Sequence, residues 1–102
     1  FDAVLMPCAP VAALAHDHEP NIMARTLDID GTAVPYLNFL QWAAPAAVGN
    51  LPATAAPAGF TPSGMPRGVQ VVAPFLEDRT AIAVAAMLQR LDGGFRAPPI
   101  LG

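Results

Sequence analysis

The sequence predicts a small α/β domain, and three observations point to it. Two near-continuous apolar runs, about 51–60 and 68–73, are joined by a short turn-rich connection, which favours an antiparallel strand pair. An apolar stripe at helical spacing over about 78–92 predicts a helix. The 102 residues are 54% hydrophobic and only 13% charged, so we expect either nearly complete burial or an apolar surface for a partner. Residues 1–102 should form a single domain.

Two further strand regions lie in the first third of the chain. The run "FDAVLMP" at 1–7 is closed by proline and is typical of a buried strand. Residues 26–34 alternate between apolar and acidic or small side chains around Asp30-Gly31, the dipeptide most typical of a two-residue turn. We therefore predict a small exposed hairpin over 26–34.

The two helical regions have different signals at their ends. Residues 36–49 carry apolar side chains at helical spacing, and Gly49-Asn50 is expected to end the helix. Pro45 lies inside this segment and requires the helix to kink or restart there. The helix over 78–92 has a clean pattern, with Asp78 as the expected N-cap and Leu91 as the last residue of its apolar stripe. Gly93-Gly94 is expected to end it.

Charge and cysteine content exclude several classes of protein. The net charge is −3, with five arginines and no lysine, so the clustered basic face of a nucleic-acid-binding protein is not expected. The longest stretch with almost no charge, about 34–67, is broken repeatedly by proline and does not predict a membrane span. A single cysteine excludes an internal disulfide framework and fits a reducing compartment, so we expect a cytoplasmic location.

No set of residues in the chain predicts a complete active site. His16 and His18 stand two apart in "HDHE", a spacing that converges only in a strand, so a solvated loop is favoured over a metal site. Cys8 follows an apolar strand and is interpreted as a small hydrophobic residue. Ser63, the sole serine, lies in a turn without a nucleophile-elbow motif. We predict no catalytic residue, metal or cofactor in this chain. A metal-dependent hydrolase remains the least favoured alternative.

The stretch from 50 to 74, "NLPATAAPAGFTPSGMPRGVQVVAP", resembles the closing signature of the amidase signature family. In that family a Gly-Leu-Pro-Ala segment leads to Pro-x-Gly, then to Gly-Leu-Pro-x-Gly-x-Gln and a hydrophobic strand. The matching segments here are 50–53, 57–59, 64–70 and 71–74. "FDAVLMPCAP", the hairpin followed by an aromatic helix, and "EDRTAIAVAAML" resemble other parts of the same family, in the same order.

The resemblance implies the C-terminal part of a bacterial amidase with a mixed β-sheet fold. Such enzymes hydrolyse carboxamides through an acyl-enzyme formed by a serine, helped by a second serine on a cis peptide and by a lysine. The family places that triad in a Gly/Ser-rich region upstream of this portion, and this chain contains no lysine. We therefore expect a fragment of a longer enzyme that is inactive alone and whose parent acts on a small-molecule amide.

Three positions depart from the family's pattern. Asn50 replaces a usual glycine, and Ala47 stands where asparagine is frequent. Leu40 occupies the position at which glutamine-handling members carry an aspartate, five residues before the helix proline. A pocket wall formed by Leu40 and Trp42, with Phe39 beside them, would favour an apolar or aromatic acyl group over a polar amino acid.

A second hypothesis comes from a different class of protein. The chain could be a free-standing, non-catalytic module that retains the C-terminal half of the fold as a dimerisation or binding unit. Either way, apolar strands without their usual neighbours present edges and faces that pair with another chain. We therefore expect the isolated piece to form a homodimer or to aggregate.

Overall fold

The computed structural model describes residues 1–98 and 100, and in this part of the chain helices alternate with short antiparallel strands. The coarse α/β prediction is therefore confirmed. The elements are, in order, strand β1 (Val4–Pro7), a 3₁₀ turn (Ile22–Ala24), strands β2 (Thr26–Ile29) and β3 (Thr32–Pro35), a 3₁₀ helix (Tyr36–Trp42), helix α1 (Ala44–Gly49), strands β4 (Ala53–Phe60) and β5 (Pro66–Val72), and helix α2 (Asp78–Asp92).

A three-stranded sheet with the order β1-β5-β4 forms the centre of the fold, and both strand pairs are antiparallel. The predicted strand pair is confirmed, with β4 beginning two residues later and β5 two residues earlier than expected. Val71 on β5 lies opposite Leu5 on β1 and Thr54 on β4. Because β5 is the central strand, its end is buried on both faces, and Val71 has no exposed surface.

The pairing register of strand β4 is irregular next to Pro57. Pro57 pairs with Gly68, and the register then shifts before Phe60 pairs with Pro66. Gly59 lies in this shifted segment with φ of +79°, a left-handed conformation that favours glycine. The bulge therefore ends the regular ladder after Pro57.

Helix α2 packs on one face of this sheet through small side chains. Ala85 meets Ala56 and Val71 in the core, with partly buried Val84 and Leu88 against them. Alanine at these positions lets helix and strand backbones approach closely. The predicted end of the apolar stripe is wrong, because Leu91 is 86% exposed.

The predicted N-cap of α2 is also wrong. The backbone carbonyl of Glu77 accepts hydrogen bonds from the Thr80 and Ala81 N–H groups, so Glu77 is the residue that precedes the first turn. Asp78 is therefore the first helical residue. Its negative charge there still complements the positive end of the helix dipole.

Strand β1 is not the buried strand that the sequence predicted. Val4 and Leu5 are 53% and 52% exposed, because β1 is an edge strand and α2 lies over β4 and β5. The apolar composition of β1 therefore gives the described part of the chain an apolar edge.

The predicted hairpin is confirmed, with β2 and β3 spanning 26–35. Asp30 and Gly31 both have positive φ, 51° and 80°, as a two-residue type I′ turn requires. The Asp28 carboxylate accepts a hydrogen bond of 2.8 Å from the Gly31 N–H. Leu27, 2% exposed, anchors the hairpin in the fold.

The segment 36–49 forms two short helices rather than one kinked helix. The Ala43 N–H donates to the Leu40 carbonyl, three residues back, so the first piece is a 3₁₀ helix. Pro45 lies in the first turn of α1. Backbone N–H groups in a first turn have no acceptor within the helix, so the lack of an N–H in proline costs α1 no hydrogen bond. Asn50 ends α1 in the left-handed conformation, with φ of 55°, as expected. No helix among the described residues has the length and apolar character needed to cross a bilayer.

Candidate binding cleft

A cleft of about 430 Å³ opens where β1 ends and β5 begins. These ends lie together because the two strands are antiparallel, with Pro7 opposite Val69. The walls consist mainly of backbone atoms and of small apolar side chains. They are formed by Pro7, Cys8, Ala9, Pro10, Val11, Ala12, Ala13, Phe39, Thr61, Pro66, Arg67 and Gly68.

The 3₁₀ helix brings one of the three predicted pocket residues to this cleft. With three residues per turn, Tyr36, Phe39 and Trp42 form one row along the helix, and the Tyr36 and Phe39 rings stack with centroids 6.3 Å apart. Phe39 lines the cleft, whereas Leu40 and Trp42 are not among its lining residues. Leu40 lies in a different row, with Leu37, and is 58% exposed.

Gln70 fixes the position of this 3₁₀ helix, a role that the sequence reasoning missed. Its side chain is 8% exposed. The Nε2 group donates to the Pro7 carbonyl at 2.9 Å and also to the Trp42 carbonyl. One amide thus connects the end of β1, the middle of the sheet and the end of the aromatic row. A signal was present, because Gln70 is the one polar side chain between Gly68 and Pro74.

Cys8 lies in the cleft wall as a packed thiol. Burial raises the pKa of the Cys8 thiol, so the thiol stays protonated at neutral pH and is a poor nucleophile. Gly68 packs closely beside it, since a Cβ at that position would lie only 3.2 Å from the Ala56 carbonyl oxygen and 3.5 Å from the Cys8 Sγ. These contacts agree with the interpretation of Cys8 as a small hydrophobic residue.

Ser63 has the role in the turn that its sequence context indicated. Its hydroxyl lies 2.8 Å from the Thr61 hydroxyl, and Thr61 Oγ1 also accepts from the Met65 N–H at 3.0 Å. No lysine exists in the chain to activate it. Ser63 therefore shapes the connection between β4 and β5.

The "HDHE" segment forms a loop held by local hydrogen bonds. The His16 and His18 rings lie 6.1 Å apart, and the Asp17 carboxylate accepts from the Glu19 N–H. Across the residues that the structure describes, no three histidine, cysteine, aspartate or glutamate side chains are close enough to hold a metal ion. The cleft described above can contact a small molecule through the ring of Phe39 and mainly apolar surface.

Comparison with known proteins connects this fold to one family. The model of the family described as Amidase matches residues 1–82. The chain is 35% identical over 98 residues to the A subunit of glutamyl-tRNA(Gln) amidotransferase from Maricaulis maris, covering 96% of this chain and 18% of that protein. It is 34% identical over 89 residues to the corresponding protein of Granulibacter bethesdensis, covering 87% of this chain and 16% of that protein.

A relative with a different name shares a shorter segment. Fatty-acid amide hydrolase 2-A of Danio rerio is 46% identical over 48 residues, which cover 47% of this chain and 9% of that protein. The chain thus spans less than a fifth of the length of these curated relatives. A family match over residues 1–82, together with identity above 30% across most of the chain, shows that this chain belongs to the Amidase family.

Proposed function

We propose that this chain is the C-terminal part of an amidase that hydrolyses carboxamides to a carboxylic acid and ammonia. Family membership supports the reaction class. The absence of lysine and the turn role of the sole serine support a nucleophile and base outside these 102 residues. We assign those roles to the serine, cis-serine and lysine of the family. The 102 residues alone should be inactive.

The contribution proposed for this chain is one wall of the acyl pocket. The observation that carries it is the Gln70 side chain, which attaches the 3₁₀ helix to the sheet at both Pro7 and Trp42. Because these two hydrogen bonds fix the aromatic row, the Phe39 ring already has its position before an acyl group binds. Preorganisation of this kind reduces the entropy lost on binding.

The proposed acyl group is apolar or aromatic. The cleft that Phe39 lines contains no aspartate or glutamate among its described lining residues, so the ammonium of an amino-acid substrate would find no carboxylate partner in them. Leu40, with more than half of its side chain exposed, adds apolar surface next to Phe39. An aryl-acetamide fits these surroundings better than glutamine.

The product of the complete reading frame that contains this chain allows a direct test by ammonia release. We expect kcat/KM for phenylacetamide to exceed that for glutamine by at least about tenfold, which corresponds to the discrimination that an apolar pocket supplies. A preference for glutamine would contradict the proposed acyl group while leaving the amidase reaction intact. No ammonia from either amide or from a panel of simple carboxamides would contradict the amidase itself.

A matched pair of variants connects the preference to Phe39. Phe39→Ala should lower kcat/KM for phenylacetamide by about tenfold, because it removes the aromatic surface that lines the cleft. Leu37→Ala is the control, since Leu37 lies on the same 3₁₀ helix but not in the cleft. Equal effects of the two substitutions would contradict a role for Phe39 in the pocket.

A non-catalytic, self-associating module is the second candidate. Half-exposed Val4 and Leu5 on the edge strand favour it, because apolar edges pair with other chains. The reading frame discriminates the two candidates: a Gly/Ser-rich segment and a lysine upstream of this chain support the enzyme.

We also propose a cytoplasmic location, because a single unpaired cysteine fits a reducing compartment.

A further inference from the structure

A second cavity of about 430 Å³ lies between the bulge of β4 and the end of α2. Phe60 and Phe95 contribute aromatic surface, and Pro57 and Pro98 add rigid apolar surface. Two cationic side chains, Arg67 and Arg96, also line it. A concave, mainly apolar site with a few polar groups is the usual form of a small-molecule site, and about 300–1,000 Å³ is its usual size.

The Arg96 guanidinium lies against an aromatic ring and near a helix end. It lies over the Phe60 ring, 5.5 Å from the centroid. A Cβ built on Gly93 would be 3.7 Å from Arg96 Nη2, so the cation also lies near the carboxyl end of α2, where the helix dipole favours positive charge. Both neighbours place the positive charge of Arg96 at the wall of the cavity.

Asp92 is the one carboxylate among the described residues that line this cavity. Its Oδ2 accepts a hydrogen bond of 3.1 Å from the Gly59 N–H in the bulge, so that oxygen is turned towards β4. The two guanidiniums and this single carboxylate leave the described lining with an excess of positive charge. The cavity is therefore complementary to an anion with an apolar body.

We propose that this cavity binds a small carboxylate with an aromatic body. The planar guanidinium of Arg96 matches a carboxylate in a bidentate geometry, with Arg67 as the second cation. The aromatic body of the ligand would lie against Phe60 and Phe95. Arg67 lines both cavities, whereas Phe60, Phe95 and Arg96 line this one and not the Phe39 cleft. The inference does not depend on the amidase activity, because it is tested by binding alone.

Titration with 2-naphthoate tests this site on the product of the complete reading frame. We expect saturable binding with one site per chain, measured by calorimetry. The neutral 2-naphthalenemethanol and inorganic phosphate should each bind at least about tenfold more weakly, because each lacks one of the two features that the cavity recognises. Absence of saturable naphthoate binding, or equal affinity for the neutral analogue, would overturn the proposal.

Variants locate the bound probe. Arg96→Gln should raise the Kd for naphthoate at least about tenfold, since a charge-assisted pair is lost, and Arg67→Gln should raise it to a smaller extent. Arg25→Gln is the matched control, because Arg25 also lies over an aromatic ring, that of Tyr36 at 5.8 Å, but not in this cavity. Circular dichroism checks that each variant is folded.

Two results of the variant series would contradict the site. Unchanged affinity in both Arg96→Gln and Arg67→Gln would overturn it. Affinity lost in Phe39→Ala but kept in Arg96→Gln would place the probe in the other cleft and would also overturn it.

Discussion

At the scale of single residues, the local sequence indicates the role of Asn50, whereas only the fold reveals the role of Gln70. Asn50 replaces the glycine typical of the family's motif, and it adopts φ of 55° at the end of α1. Asparagine is among the few residues other than glycine that tolerate this conformation. The replacement therefore preserves the turn, which the sequence predicted from Gly49-Asn50. The role of Gln70 was not predictable, since its two acceptors are 28 and 63 residues away.

Gln70→Leu tests the connection between the 3₁₀ helix and the sheet. The substitution keeps the side-chain volume but leaves the Pro7 and Trp42 carbonyls without their donor, so we expect a loss of about 1–3 kcal/mol in the free energy of unfolding. Urea denaturation followed by circular dichroism measures it. Gln41→Leu is the control, because Gln41 is an exposed glutamine of the same 3₁₀ helix. Equal shifts in the two variants would refute the connection.

At the scale of elements, the predictions were best where the signal was local. The Asp30-Gly31 turn and the apolar stripe of α2 specify their elements within a few residues, and both elements formed, although the stripe does not extend to Leu91. The segment 36–42 forms a 3₁₀ helix rather than part of one longer helix. Seven residues contain too few turns for the sequence to distinguish a period of 3.0 from one of 3.6. The exposure of β1 was also missed, since an apolar strand has the same sequence pattern at an edge as in a centre.

The bulge of β4 and the end of α2 form the contact for which we predict an energetic effect. Asp92→Ala removes a charge-assisted hydrogen bond to the Gly59 N–H, a loss of about 1.5–3 kcal/mol. It also removes a negative charge from the carboxyl end of the helix, a gain of about 0.3–1 kcal/mol. The bond is the larger effect, so we expect a net destabilisation of about 0.5–2.7 kcal/mol.

Thermal unfolding of Asp92→Ala against Asp2→Ala measures this contact. Asp2 is an exposed aspartate outside any helix or strand, so its removal should leave the melting temperature almost unchanged. A domain of this size should lose about 4–8 °C for each kcal/mol. An increase in the melting temperature of Asp92→Ala would mean that the helix dipole outweighs the bond to Gly59.

At the scale of the whole molecule, the chain has more surface than a compact protein of its mass. Its accessible surface is 7479 Å², whereas a compact monomer of 10.5 kDa exposes about 5,400 Å². The radius of gyration is 15.4 Å, against about 13 Å for a compact domain of 100 residues. The difference in area, about 2,000 Å², is more than twice the roughly 800 Å² that each partner buries in a standard protein–protein interface. From the low charge content we expected either nearly complete burial or an apolar surface for a partner, and the large accessible area favours the second.

The isolated 102-residue chain should therefore self-associate, and β1 is the element through which we expect it to do so. Its outer edge carries no partner strand in the described part of the chain, whereas β4, the other edge, is interrupted by Pro57 and a bulge. Leu5→Lys places a charge on the β1 edge and should weaken the dimer at least about tenfold, because edge lysines oppose strand pairing. Val48→Lys, on α1, is the control, since Val48 is 87% exposed and far along the chain from β1. Light scattering over a concentration series measures both variants, and a monomeric parent chain at the highest concentration would contradict the prediction.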